Sequence, residues 1–211
     1  MNLEQLRREY SQAGMDRNDL AEDPVEQFRR WFEQAARAGI VEPNAMALAT
    51  VGADGRPSQR TVLLKSFDEH GLVFFTNYES RKARDIAVHA EVALMFAWIG
   101  LERQVTIEGS AGQTETALSE KYFAGRPYGS QLGAWVSAQS SVVTTRGELE
   151  SKLAEYEKKF PKGKVPLPPY WGGYRVKPRA WEFWQGRANR LHDRFRYTWS
   201  EGGWVIERLA P

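Results

Sequence analysis

The chain contains no cysteine, which excludes disulfides and thiolate metal sites. Its three histidines, His70, His89 and His192, are too scattered to suggest a zinc site, so no metal is expected. No apolar run approaches membrane-spanning length, and the opening MNLEQLRREY is polar and charged rather than a signal peptide. A soluble cytoplasmic protein is the expectation. An excess of one charge is also missing: 29 Lys and Arg against 27 Asp and Glu leave a formal net charge of +2. Bulk charge therefore gives little pull on nucleic acid, and any anion must be held by local clustering. There is no Gly-rich dinucleotide fingerprint and no Walker loop, so phosphates would have to rest on side chains. Neither a Gly-x-Ser-x-Gly elbow nor a paired-carboxylate arrangement points to hydrolysis.

What the chain does have is a core and flat surfaces. Of its 211 residues, 42% are hydrophobic, enough for one domain, and eight are tryptophan. Aromatic faces serve packing and also stacking on planar ring systems. Residues 1–24 are charged and read as a mobile arm with one helical turn, followed by a single domain over 25–211. Asp23-Pro24 reads as an N-cap and first-turn proline for a helix that ends near Gly39. Strands are predicted over 45–51, 60–67, 72–77, 90–98 and 102–109, and again near 171–176, 180–185, 192–198 and 204–208. Helices are predicted over 80–88, 114–123, 131–137 and 144–160. Hairpin-spaced strands with interspersed helices predict an antiparallel barrel decorated by helices.

Basic residues cluster at a few places. On a strand, Arg190, His192, Arg194 and Arg196 would share one face. Three permanent cations around one histidine call for an anion, unless this is a solvated edge strand. Arg60 and Lys65 have opposite parity on QRTVLLK, which predicts two anionic ligands or a bulge. Arg81 and Lys82 sit in the first turn of a helix that Ser80 could cap. Tyr122, Arg126 and Ser130 are spaced by four, and their hydroxyls and guanidinium suit a phosphate, although Gly125 and Pro127 interrupt a continuous helix. Gln139, Ser140 and Ser141 add donors. Each group also reads as an ordinary solvated polar face.

Eight blocks carry a resemblance: RREY at 7–10, QRTVLLK at 59–65, FFTNYESRKA at 74–83, LERQV at 101–105, KYFAGRP at 121–127, GAWVSAQSS at 133–141, PLPPYWGGYRV at 166–176 and EFWQGRANRLHDRF at 182–195. In order and spacing they resemble the pyridoxamine (pyridoxine) 5′-phosphate oxidases. Two positions depart from the pattern: Trp181, where an aliphatic residue is expected, and Arg196, which matches no functional position.

The resemblance implies an FMN-binding split β-barrel, homodimeric, with two flavins at the subunit interface. It implies oxidation of pyridoxamine or pyridoxine 5′-phosphate to pyridoxal 5′-phosphate, with hydride passing to flavin N5 and oxygen reduced to hydrogen peroxide. Arg60, Arg81, Lys82, Gln139 and Ser140 would hold the FMN phosphate. The run Arg60, Thr61, Val62, Leu63, Leu64 and Lys65, with Phe75 and Thr76, would line the flavin. Gln104, Trp184 and Arg194 would meet its ring system. Lys65, Tyr122, Arg126 and Ser130 would grip the substrate phosphate, and Arg190, Leu191 and His192 would flank the substrate ring, with Arg190 and His192 catalytic. Arg7, Arg8, Glu9 and Tyr10 would form a lid. A non-catalytic flavin or pyridoxal-phosphate carrier, or a flavin reductase using a nicotinamide donor, would use the same barrel.

Overall fold

The computed structural model describes residues 9–11 and 13–211. Among these residues, five α-helices surround one antiparallel sheet of nine strands. The chain runs α1 (Pro24–Arg37), β1 (Ala45–Val51), β2 (Pro57–Leu63), β3 (Ser66–Asp68), β4 (Gly71–Asn77), α2 (Arg81–Val88), β5 (Glu91–Trp98) and β6 (Arg103–Gln113). It continues through α3 (Thr116–Ala124), α4 (Tyr128–Val136), α5 (Arg146–Lys159), β7 (Trp171–Gln185), β8 (Asp193–Ser200) and β9 (Gly203–Leu209). The strand order is β2-β1-β5-β6-β7-β4-β3, with β8 on β7 and β9 on β8. This is the antiparallel split barrel that the sequence predicts. Among the described residues, no helix is long and apolar enough to cross a membrane.

Alternation builds the barrel's interior. On β5, Val92, Leu94, Phe96 and Trp98 are buried, and on β6 the buried Val105 and Ile107 pair with Phe96 and Leu94. A period of two puts each set on one face of the pleat. Helix α1 closes one end of the barrel through Phe28, whose ring centroid lies 4.9 Å from those of Phe67 and Phe96 and 5.5 Å from that of Trp181. Its start is the expected one: Asp23 caps the Val25 N–H at 2.8 Å and Pro24 opens the helix. Trp181 is fully buried, parallel to Phe183, and its indole N–H has no acceptor. The departure at this position is thus a packing change.

Strand β7 organises the sheet. One of its edges pairs with β6 over almost its whole length; the other pairs first with β4 (Trp171–Asn77 to Val176–Leu72) and then with β8. The sequence predicts two strands, 171–176 and 180–185, because Pro178 lacks an N–H to donate. The sheet absorbs the proline at a β-bulge, where the register shifts between Glu108 and Gly109. A Cβ at Gly109 would meet the Lys177 carbonyl at 2.2 Å, so only glycine fits that crossing.

Two other expectations change. The predicted strand 60–67 is divided: Leu64 turns into the core, with its backbone N–H and C=O bonded to Asn44, and β3 starts afterwards. Four predicted helices and the final strands shift at their ends only. The described part of the arm packs on the barrel, with Met15 and Leu20 in the core and the Tyr197 hydroxyl donating to the Ala21 carbonyl at 2.7 Å.

Candidate active site

A cleft of about 940 Å³ opens between β2, the end of β4, the start of α2 and helices α3 and α4. It gathers residues that are far apart in the chain. At one end stand Arg60, Arg81, Lys82, Gln139 and Ser140; toward the other stand Lys65, Tyr122, Arg126 and Ser130. Thr61, Val62, Leu63, Phe75 and Thr76 line the space between. The opposite parity of Arg60 and Lys65 is resolved by the end of β2 at Leu63, after which the chain turns and brings both into the same cleft.

The first end is built around Lys82. Its side chain is buried and its ammonium donates to Thr76 Oγ1, Ser80 Oγ and Gln139 Oε1, each at 3.1 Å. All three partners are neutral. Burial and the nearby Arg60 cation push its pKa down to about 8. The expected cap of α2 by Ser80 does not form, because its hydroxyl serves Lys82 instead. The Arg81 N–H is taken by Ser140 Oγ at 3.2 Å, from a loop residue held at φ +74°. Ser140 thereby places its hydroxyl at the positive end of the helix.

The second end is aromatic and cationic. Phe75 lies parallel to Tyr122 at 4.0 Å and to Trp171 at 5.5 Å. Arg126 sits 4.6 Å above the Trp171 ring, and its Nη1 is buried with no hydrogen-bond partner among the described residues. Lys65 Nζ is 5.9 Å from the Tyr122 ring. Tyr122 lies in the last turn of α3 and Ser130 in α4, so Gly125 and Pro127 break the helix as expected, yet the Tyr122, Arg126 and Ser130 side chains all reach the cleft. A desolvated guanidinium donor without an acceptor costs free energy that an anion would recover.

A second group lies elsewhere, on the outer face of the sheet. Gln104, Trp184 and Arg194 are Cα partners in register across β6, β7 and β8. His192 packs on Trp184 at 4.6 Å, and Tyr10 meets both rings edge-on, at 5.7 Å from Trp184 and 5.5 Å from His192. Gly186 is required there, since a Cβ would meet the Tyr10 ring at 2.8 Å. His192 Nδ1 accepts the Arg187 N–H at 3.1 Å, which assigns the proton of the neutral ring to Nε2. Burial and Arg190, against the opposing pull of Asp193, keep its pKa below the usual histidine value. Asn189 and Arg190 take φ of +56° and +63°, a left-handed pair that turns the chain before β8.

The shared cationic face predicted for 190–196 holds only from Arg194 onward, because β8 begins at Asp193. There the partners are protein carboxylates. Arg194 forms a bidentate pair with Glu182 at 2.8 and 3.1 Å, and Arg196 meets Glu108 at 3.3 Å. Leu64 faces the core rather than the cleft, and Leu191 is exposed beside His192. Glu9 is exposed; Arg7 and Arg8 lie outside the described residues. Sequence reasoning missed Thr50, Ser58 and Asp85, which surround Arg60 and carry no basic signature.

A family model described as "Pyridoxamine 5'-phosphate oxidase" matches residues 32–160. The chain belongs to the pyridoxamine 5′-phosphate oxidase family. A second model, "Pyridoxine 5'-phosphate oxidase C-terminal dimerisation region", matches 171–211, which spans β7 to β9. The chain is 59% identical to the pyridoxine/pyridoxamine 5′-phosphate oxidase of Crocosphaera subtropica, covering 100% of both chains. It is 58% identical to the protein of the same name from Rubrobacter xylanophilus, covering 100% of this chain and 97% of that one. Among solved structures, PhzG from Burkholderia lata, in complex with tetrahydrophenazine-1-carboxylic acid, superposes with TM-score 0.87 at 32% identity, over 92% of this chain and 95% of that one. A pyridoxamine 5′-phosphate oxidase-related, FMN-binding protein from Nostoc punctiforme shares the fold, with TM-score 0.72 at 18% identity, over 91% and 100%. Membership of this family makes the chain an enzyme.

Proposed function

We propose that the chain oxidises pyridoxamine 5′-phosphate or pyridoxine 5′-phosphate to pyridoxal 5′-phosphate, with FMN as cofactor and oxygen as final acceptor. The observation that carries this reading is a pair of cations in one cleft, with Lys82 buried and Arg126 half-buried. Lys82 has neutral partners throughout, and Arg126 has a donor with no partner. Two anionic groups satisfy them, and the stacked wall of Phe75, Tyr122 and Trp171 suits planar heterocycles. A phosphate grip at the Lys65, Tyr122, Arg126 and Ser130 end favours a phosphorylated substrate over a tricyclic carboxylic acid such as the one bound to PhzG.

The residues fit FMN. Arg60, Arg81, Lys82, Gln139 and Ser140 would hold its phosphate, and Thr61 to Leu63, Phe75 and Thr76 would line it. When bound, FMN supplies the hydride acceptor that oxygen restores with release of hydrogen peroxide. Gln104, Trp184, Arg190, His192 and Arg194 line no part of the cleft in their own chain. We infer that a second copy supplies them, in a homodimer formed through the 171–211 region. His192, with Nδ1 occupied and Nε2 protonated, orients the substrate as a donor; Arg190 adds a permanent cation beside it. Tyr10 would cover the substrate, together with Arg7, Arg8 and Glu9. A cytoplasmic location suits these soluble reactants.

The test is direct. Purified chain loaded with FMN, mixed with pyridoxamine 5′-phosphate in air, should produce peroxide and the product aldehyde in equal amounts. Flavin binding with neither product would leave a carrier, and turnover that needs NADPH would indicate a reductase.

A further inference from the structure

Asp85 stands behind Arg60, buried on α2. Its Oδ2 accepts from Thr50 Oγ1 on β1 at 2.7 Å and from Ser58 Oγ on β2 at 3.0 Å. An ionised carboxylate only accepts, so it fixes the direction of both hydroxyl protons. The two hydroxyl oxygens are 3.1 Å apart, but each has its stronger acceptor in the carboxylate. Their lone pairs are left for Arg60, whose Nη1 donates to Thr50 Oγ1 at 2.8 Å and whose Nη2 donates to Ser58 Oγ at 2.5 Å. Nη1 also donates to the Leu48 carbonyl at 2.9 Å. Among the described residues these are the hydrogen bonds of Arg60, so Nε–H and one Nη2–H remain, on a side chain that lines the cleft. Those two groups make a bidentate fork of the kind phosphates accept.

We propose that Asp85 is a positioning residue for the cofactor phosphate, acting through Thr50 and Ser58, and through its own ion pair with Arg60 Nη2 at 3.8 Å, to hold the Arg60 guanidinium with its two remaining donors toward the cleft. This rests on the reading of the cleft as the FMN site. Asp85 is ionised throughout the working range: burial raises its pKa, but the Thr50 and Ser58 hydroxyls and the Arg81 and Arg60 cations more than offset that. Its charge alone would repel a phosphate. Positioning and bulk electrostatics therefore predict opposite signs when that charge is removed. Fixing Arg60 in advance spares the ordering of a rotamer-rich side chain on binding.

Asp85→Asn keeps the shape but puts a neutral carbonyl oxygen, a weaker acceptor, where the carboxylate Oδ2 takes both hydroxyl protons, so neither hydroxyl is held in its direction as firmly. The full chain, freed of flavin, is titrated with FMN and with riboflavin, which lacks the phosphate, while flavin fluorescence is followed. Asp85→Asn should raise the FMN Kd about tenfold and leave that of riboflavin within about twofold. In an Arg60→Ala background it should add no further loss of FMN affinity. Ser58→Ala, which removes one arm of the relay without touching charge, should weaken FMN binding several-fold and spare riboflavin; it decides the matter alone if Asp85→Asn does not fold. Unchanged or tighter FMN binding in Asp85→Asn, an equal loss for riboflavin, or an additive loss in the double variant overturns the positioning role. A wild-type chain that binds riboflavin as tightly as FMN, or Arg60→Ala without cost, instead overturns the FMN reading, and the role of Asp85 with it.

Discussion

With the FMN phosphate placed on Lys82 as proposed, binding should depend on pH in a way that can be worked out in advance. The Lys82 ammonium is buried among Thr76, Ser80 and Gln139, with Arg60 nearby, and its pKa falls from 10.5 to about 8. A phosphate dianion against it restores the charged form, so the bound state carries the higher pKa. The bound complex then holds more protons than the free protein between pH 8 and 10.5. In that window FMN affinity should fall by up to about tenfold per pH unit. Below it, affinity should be level down to about pH 6, where the phosphate itself takes up a proton. At pH 9, about 0.9 proton should be taken up per FMN bound, because nine-tenths of the free Lys82 is neutral there. Calorimetry in two buffers of different ionisation enthalpy measures this uptake, with riboflavin as the control that should show none. The same depressed pKa has a consequence for folding. The unfolded chain binds the proton more tightly, so the flavin-free protein should gain stability as pH rises from 8 to 10.5. Lys82→Met should therefore raise the stability of the flavin-free protein by at most about 3 kcal/mol, at 1.36 kcal/mol per pH unit, and its melting temperature with it, while abolishing phosphate-dependent binding. FMN affinity that stays level from pH 7 to 10, or no proton uptake at pH 9, would refute the assignment of the phosphate to Lys82.

Subunit complementation tests whether the second copy completes the site. Arg60→Ala and Arg190→Met homodimers should each be nearly inactive, and random exchange between them should restore about a quarter of wild-type activity, since half the dimers would carry one intact site of two; no recovery after verified exchange would place both residues in one subunit's site. Arg126→Met removes the unpaired buried donor at the substrate end and should raise the KM for pyridoxamine 5′-phosphate about tenfold or more, with FMN affinity unchanged. Equal loss in FMN binding would mean that the two ends of the cleft are not separate. Trp181→Phe exchanges an unsatisfied indole N–H for a small cavity, so the two effects should offset to within about 1 kcal/mol in denaturant unfolding. A loss of about 3 kcal/mol or more would mean that the indole ring's packing outweighs its orphaned donor.

The parts legible in the sequence share one property: their information is local. β5 and β6 show their burial as a period of two, and α1 shows its start in Asp23-Pro24. The cationic residues of the cleft were visible as candidates because phosphate recognition needs Arg and Lys. Their convergence was not visible, since it depends on Leu64 diverting the chain between Arg60 and Lys65. The Gln104, Trp184 and Arg194 row was likewise hidden, because β6 and β7 pair across some eighty residues and only their register aligns the side chains. Only the family resemblance grouped those residues in advance.

The residues around Arg60 show why the remaining gap is systematic. A basic pair on a strand suggests an anion, but the groups that aim a guanidinium are acceptors, drawn from whatever elements happen to lie behind it. Thr50, Ser58 and Asp85 come from two strands and a helix, and none would be selected as a phosphate ligand. The anion that the cationic face of Arg194 and Arg196 calls for is likewise supplied from behind, by Glu182 and Glu108 of the chain itself. Cations with protein carboxylates against them are already partly neutralised, Arg60 by Asp85 as well as Arg194 by Glu182. Those that meet only neutral partners, as Lys82 does, or leave a buried donor unmet, as Arg126 does, are left to recognise something the chain does not contain.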